Sequence, residues 1–238
     1  MADASRPCNT YPDLVRFKHP LSHLAQSLRR QRRTKIVAIG SSSTAGEPSP
    51  SGDVKIVPFP ARLELALRRH NYGRMIDVLN RGLGGQEAPE ELSRFESDVI
   101  AEAPALVIWQ VGTNAVFHDL DYNPAEIAAA IAAGLDWLAP LPMDVVLMDL
   151  QYTTAITTAK KLSRSEEIEK IILAAADTAK VDVFRRWALM GQWVKDSMKV
   201  PDLTDPEDTS DLHMSEWATN CVAQALHGAI VDAVGAAA

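Results

Sequence analysis

Five short apolar runs, separated by longer segments of helical spacing, constrain most strongly what this chain can fold into. They are Lys35–Gly40 (KIVAIG), Met75–Leu79 (MIDVL), Ala105–Val111 (ALVIWQV), Val145–Leu150 (VVLMDL) and Val181–Phe184 (VDVF). Each is too short for a typical helix and rich in β-branched residues, so each reads as a strand buried on both faces. Apolar residues at helical spacing place helices over Pro20–Arg33, Pro58–Tyr72, Pro89–Ala101, Pro124–Leu138, Ser165–Lys180 and Arg185–Ser197, with a last one from Ser215 to about Val234. Regular alternation of strand and helix predicts an α/β fold, a three-layer α/β/α sandwich around a five-stranded parallel sheet. A flavodoxin-like order, 2-1-3-4-5, puts a ligand crevice beyond the carboxyl ends of strands one and three.

No repeat or break in composition divides the chain. Residues 1–34 read as an N-terminal arm and helix packed on the domain, and residues 35–238 as the α/β domain itself. At 238 residues, with 47% apolar and 23% charged residues, the chain has the material for one sizeable core. Its formal net charge of -7 gives nucleic-acid binding no electrostatic support. The one basic cluster, Arg29, Arg30, Arg32 and Arg33, reads as the cationic end of a helix. No run reaches the length of a membrane span, and no signal peptide is visible, so a cytoplasmic location is the default expectation, with export left open. Cys8 and Cys221 are far apart in sequence and suggest neither a disulfide framework nor a metal site. The histidines show no metal-ligand spacing, and no cofactor is expected.

Four local patterns fall on predicted strand ends or just before the last helix. These are Gly40-Ser41-Ser42-Ser43-Thr44 after strand one, Asn80-Arg81-Gly82-Leu83-Gly84-Gly85 after strand two, Gly112-Thr113-Asn114 after strand three, and Asp211-Leu212-His213 before the final helix. The long segment Glu47–Val57, holding Pro48, Pro50 and Gly52, follows the serines as a loop.

In order and placement these patterns resemble the SGNH hydrolases, also called the GDSL esterase/lipase superfamily, over most of the chain. The resemblance implies Ser42 as nucleophile and His213 as general base. It also implies an oxyanion hole formed by the backbone N–H groups of Ser42 and Gly85 with the side-chain amide of Asn114. Ser41 stands where that superfamily has Asp. The acid of its D-x-x-H block is displaced too, since Ser210 lies three residues before His213. Asp211, two residues before the histidine, is the expected third member. Asp208, five before, is the second candidate, and a dyad oriented by a backbone carbonyl is the third.

Such residue types suit acyl transfer. A serine hydroxyl needs a neighbouring base to attack at neutral pH, and imidazole can take that proton and return it to the leaving alcohol. A carboxylate fixes the imidazole tautomer, and hydrogen-bond donors stabilise the oxyanion of the tetrahedral intermediate. The resemblance therefore implies a serine esterase acting on short-chain acyl or acetyl oxygen esters, with a small-molecule or saccharide ester as substrate and no nucleic-acid partner. Two further readings stand beside it. One is an acyltransferase using the same residues. The other is a binding protein, either a phosphate- or flavin-binding flavodoxin-like protein that uses the serine-rich turn as an anion cradle or a catalytically inert relative that lacks the D-x-x-H aspartate. Oligomeric state is not encoded in any motif of the sequence. Ser43 reads as a turn-bonding neighbour of the nucleophile. His118, Gln151 and Tyr152 are candidates to line the crevice, and Trp187 and Trp193 read as core.

Overall fold

The computed structural model describes residues 6–46, 56–118 and 122–237. A short helix α1 (Pro12–Val15) and α2 (Ser22–Arg30) precede β1 (Arg33–Gly40), which runs into α3 (Ser42–Ala45). Then come α4 (Phe59–His70), β2 (Met75–Gly82), α5 (Ala88–Ser93), α6 (Phe95–Asp98), β3 (Leu106–Gln110), α7 (Thr113–Phe117) and α8 (Pro124–Leu138). The second half holds β4 (Asp144–Met148), α9 (Leu162–Ala179), β5 (Asp182–Phe184), α10 (Arg186–Lys195), α11 (Val200–Leu203) and α12 (Glu216–Gly235).

All strand pairings are parallel and the sheet order is β2-β1-β3-β4-β5, as the flavodoxin-like expectation required. Successive strand residues alternate between two cores because the side-chain period of a strand is two. Ile36, Ala38, Leu106, Ile108, Val146 and Met148 face a core closed by α4, α10, α12 and the N-terminal segment. Val37, Ile39, Val107, Trp109 and Leu147 face the opposite core, closed by α6, α8 and α9. Both faces of the central strands are thus covered, which is why the runs are apolar without interruption.

Two differences from the sequence reading concern element boundaries. β2 continues through Asn80, Arg81 and Gly82, which pair with Ala38, Ile39 and Gly40. An edge strand tolerates these polar residues because it has a neighbour on one side only. The helix expected over Pro89–Ala101 is interrupted at Arg94, which leaves helical geometry (φ -110°, ψ 12°). Of the loop expected over Glu47–Val57, only Ile56 and Val57 lie within the described residues.

Cys8 and Cys221, whose separation suggested neither a disulfide framework nor a metal site, are joined in a disulfide across 213 residues of sequence. The N-terminal segment runs back over α10 and α12. Val15, Phe17, Leu21 and Leu24 are buried in the same core as α12, and the Trp193 and Trp217 indoles donate to the carbonyls of Asn9 and Arg6. That packing brings Cys8 to α12, something sequence distance does not report. None of the described helices is long and apolar enough to cross a membrane.

Candidate active site

The four motif segments lie at the carboxyl edge of the sheet. β1 delivers Gly40 to Thr44 there, and Ser42 opens the single turn of α3. Gly40 and Gly82 are in register across β1 and β2, and the Leu83 N–H donates to the Gly40 carbonyl at 2.9 Å. The first two motifs are therefore side by side. Asn114, in the first turn of α7, donates from Nδ2 to the Gln86 carbonyl at 2.9 Å, which ties the third motif to the second. Arg94 closes this half of the site. Its guanidinium donates to the carbonyls of Gly40 and Arg81 and to Gln86 Oε1, and it is paired with Asp98.

Gly85 is exposed with φ +80°, and a Cβ there would meet nothing within 4 Å. Its glycine answers to a left-handed backbone in the turn, not to crowding. This turn carries the Gly85 N–H beside the Gln86 that Asn114 holds.

His213 sits in the loop between α11 and α12. The loop is pinned at its base by an antiparallel bridge between Thr204 and Met214 and by a hydrogen bond from the Asp205 N–H to the His213 carbonyl. Gln151 donates to the Leu212 carbonyl, and the Ala155 N–H to the Asp211 carbonyl, which anchors the loop on the segment after β4.

The carboxylate against His213 belongs to Asp208, not to Asp211. Asp208 Oδ2 lies 2.9 Å from His213 Nδ1 and also accepts the backbone N–H groups of Leu212 and His213. Its Oδ1 accepts the N–H and hydroxyl of Ser210. The chain winds around this one side chain. To do so it puts Asp211 in the left-handed region (φ 55°), with its side chain exposed and its carbonyl turned to Ala155. Burial by itself would raise the Asp208 carboxyl. The hydrogen bonds from His213 and Ser210, with the histidine's charge, outweigh it and hold the group at about 2.

An ionised carboxylate can only accept, so the proton of a neutral His213 ring sits on Nδ1 and Nε2 keeps its lone pair. Nε2 is buried and has no hydrogen-bond partner, so no hydrogen bond joins it to Ser42 in this structure. Catalytic hydrogen bonds in free enzymes are often formed only once substrate is bound.

Two buried residues that sequence reading did not single out stand behind the serines. Gln110, the last residue of β3, offers Oε1 to the Ser41 N–H (3.2 Å), Ser41 Oγ (3.1 Å), Ser43 Oγ (2.9 Å) and Thr44 Oγ1 (3.2 Å). Arg186, fully buried at the start of α10, donates to the Asp149 carbonyl from Nε and Nη2 and to Ser43 Oγ from Nη1 at 3.1 Å. Burial lowers this guanidinium to about 10, opposed by the charge of Asp149. Burial likewise lifts the Asp149 carboxyl to about 7, against a hydrogen bond from the Trp187 N–H and the charge of Arg186. A lone amide ending the apolar run ALVIWQV was the available sign of Gln110. Nothing in the sequence marked Arg186, whose serine partner is 143 residues away.

The Ser43 hydroxyl, expected to bond within its own turn, instead bonds outside it, donating to Gln110 on β3 and accepting from Arg186 on α10. Trp187 and Trp193 are buried. The Tyr152 ring packs on Trp187 with centroids 4.4 Å apart. Among the described residues no group of three or more His, Cys, Asp or Glu side chains could hold a metal ion.

Residues 7–236 match the Non-GDSL lipase-like family. The chain belongs to that family. Its name sets it outside the GDSL type, which corrects that half of the sequence resemblance and agrees with Ser41 standing in place of the GDSL aspartate. Among solved structures, the chain is similar to LAE5, an alpha/beta hydrolase enzyme from the metagenome of Lake Arreo, Spain. That match has a TM-score of 0.70 and 16% identity, and covers 86% of this chain and 96% of LAE5. It is also similar to Axe2, an acetylxylan esterase from Geobacillus stearothermophilus, with a TM-score of 0.69, 19% identity, and coverage of 85% of this chain and 94% of Axe2. At these identities the likeness is one of fold. Catalytic mutants of Axe2 have been solved with a serine, an aspartate and a histidine each replaced by alanine. A curated relative, the uncharacterized lipoprotein YqeF of Bacillus subtilis (strain 168), is 32% identical over 79 residues, 33% of this chain. The matched part spans 31% of that relative's length.

Proposed function

We propose that this member of the Non-GDSL lipase-like family is a serine esterase of SGNH character that hydrolyses short-chain acyl or acetyl oxygen esters through an acyl-enzyme. One observation carries the reading. His213 has Nδ1 held by the Asp208 carboxylate while Nε2 is buried with its lone pair unused. A histidine oriented on one side and unpartnered on the other is set up to accept a proton.

In this reading Ser42 Oγ attacks the ester carbonyl as Nε2 takes its proton, and His213 returns that proton to the departing alcohol. Water then repeats the sequence to release the acid and free Ser42. Asp208 keeps the ring in the productive tautomer and stabilises the imidazolium. The oxyanion is received by the N–H groups of Ser42 and Gly85 and by the Nδ2 hydrogen of Asn114 not given to Gln86. Support comes from the family, from the shared fold, and from the serine, aspartate and histidine replaced in the catalytic mutants of Axe2. The acetylxylan substrate in that enzyme's name favours an acetylated saccharide as the natural ester here. The Cys8–Cys221 disulfide supports work in an oxidising compartment over the default of the cytoplasm.

Labelling with a fluorophosphonate, followed by peptide mass spectrometry, tests the reading. The adduct is expected on the peptide holding Ser42 and is expected to vanish in His213→Ala. Labelling at another serine, or none, would remove the assignment.

A further inference from the structure

The nucleophile turn is held by a chain of donors and acceptors that starts at a buried cation. Arg186 Nη1 donates to Ser43 Oγ, Ser43 Oγ donates to Gln110 Oε1, and the same oxygen collects Ser41 and Thr44. Ser41, Ser43 and Thr44 flank Ser42, so a single amide oxygen fixes the turn on both sides of the hydroxyl. The arrangement is built tightly. A Cβ at Gly40 would lie 2.6 Å from Thr44 Oγ1 and 2.8 Å from Gln110 Oε1, so a side chain at position 40 would strike the hub itself. Arg186 is anchored in turn on the Asp149 carbonyl at the end of β4. The link therefore spans the carboxyl edge of the sheet from β1 to α10.

We propose that Gln110 is the positioning residue for Ser42, and that Arg186 acts on the same turn through the Ser43 hydroxyl. This rests on Ser42 being the nucleophile. Neither residue need touch substrate. Their effect is to hold the turn where Ser42 Oγ, its own N–H and the Gly85 N–H converge on one carbonyl. Displacement of a reacting group by about 1 Å can cost about 100-fold in rate, so loosening the hub acts on turnover before it acts on binding. The Arg186 charge polarises the Ser43 hydroxyl toward Gln110, because hydrogen bonds from charged donors are the stronger kind.

The test compares kcat and KM on p-nitrophenyl acetate for wild type, Ser42→Ala, Gln110→Met, Gln110→Glu and Ser43→Ala, with folding checked by circular dichroism. Gln110→Met keeps the bulk and removes the acceptor. Its kcat is expected to fall about 100-fold with KM changed less than about threefold. Gln110→Glu, which again offers an oxygen to the same donors, is expected to recover to within about tenfold of wild type. A residue that served folding alone would change the melting temperature and leave kcat intact below it. An inactive Ser42→Ala beside a folded Gln110→Met of wild-type kcat keeps the nucleophile and overturns the hub. A Ser42→Ala as active as wild type overturns both. If Gln110→Met does not fold, Ser43→Ala decides. Loss of about tenfold in kcat at constant KM supports the relay from Arg186, and wild-type kcat rejects it.

Discussion

Asp208 holds the site's histidine through a turn wound around its own carboxylate. Five donors converge on its two oxygens, counting the His213 ring. The group therefore remains ionised at any ordinary assay pH, and its carboxyl near 2 contributes nothing to an acid limb of activity above about pH 4. Asp208→Ala is expected to lower kcat on the order of 10³–10⁴-fold, the scale seen when a triad carboxylate is removed. Asp211→Ala, whose side chain is exposed, is expected to stay within about threefold of wild type. The pair of variants, compared in steady-state ester hydrolysis, separates the two aspartates. Equal losses would mean that the turn itself, not the Asp208 carboxylate, is what His213 requires.

At the scale of elements, α5 carries a titratable group into the core. Glu91 is buried and accepts the Trp109 indole N–H at 2.7 Å from β3. Burial lifts its carboxyl to about 8, against that hydrogen bond and the charge of Arg94. Between the ordinary value of 4.5 and about 8 the folded state binds this proton more tightly than the unfolded state. Stability therefore falls as pH rises through that window. Glu91→Gln keeps an acceptor for Trp109 without the ionisation. Its stability relative to wild type is expected to improve by about 1 kcal/mol per pH unit from pH 5 to pH 8. Parallel stability curves from thermal or urea unfolding would contradict this. Elements such as β1 and β3 were legible in sequence because both of their faces are buried. The end of β2 was not, because Asn80 to Gly82 pair along an edge where polar residues are tolerated. The positions of Ser42, Asn114 and His213 at the sheet's carboxyl edge followed from motif order. The choice between Asp208 and Asp211 turned on one left-handed residue, which spacing does not encode. Gln110 and Arg186 escaped because their partners come from distant elements.

Over the whole molecule, the disulfide joins the N-terminal segment to α12, the helix that begins just after His213. Closing so long a loop restricts the unfolded chain, and loss of such a bridge costs about 2–5 kcal/mol. Cys8→Ala is expected to lower the melting temperature by several degrees and to expose the segment around Tyr11 to proteolysis. Activity below that temperature is expected to remain, since neither the Asp208–His213 pair nor the bonds that Gln110 and Arg186 make to the serine turn involve the arm. A Cys8→Ala protein as stable as wild type would show that core packing alone retains the arm.

The most direct measurement of the central claim is hydrolysis of p-nitrophenyl acetate by wild type and Ser42→Ala, with folding verified by circular dichroism. Turnover by the wild type is expected, with loss of about 10⁴-fold or more in a folded Ser42→Ala. Turnover that survives in Ser42→Ala would rule out Ser42 as the nucleophile and place the chemistry elsewhere in the molecule.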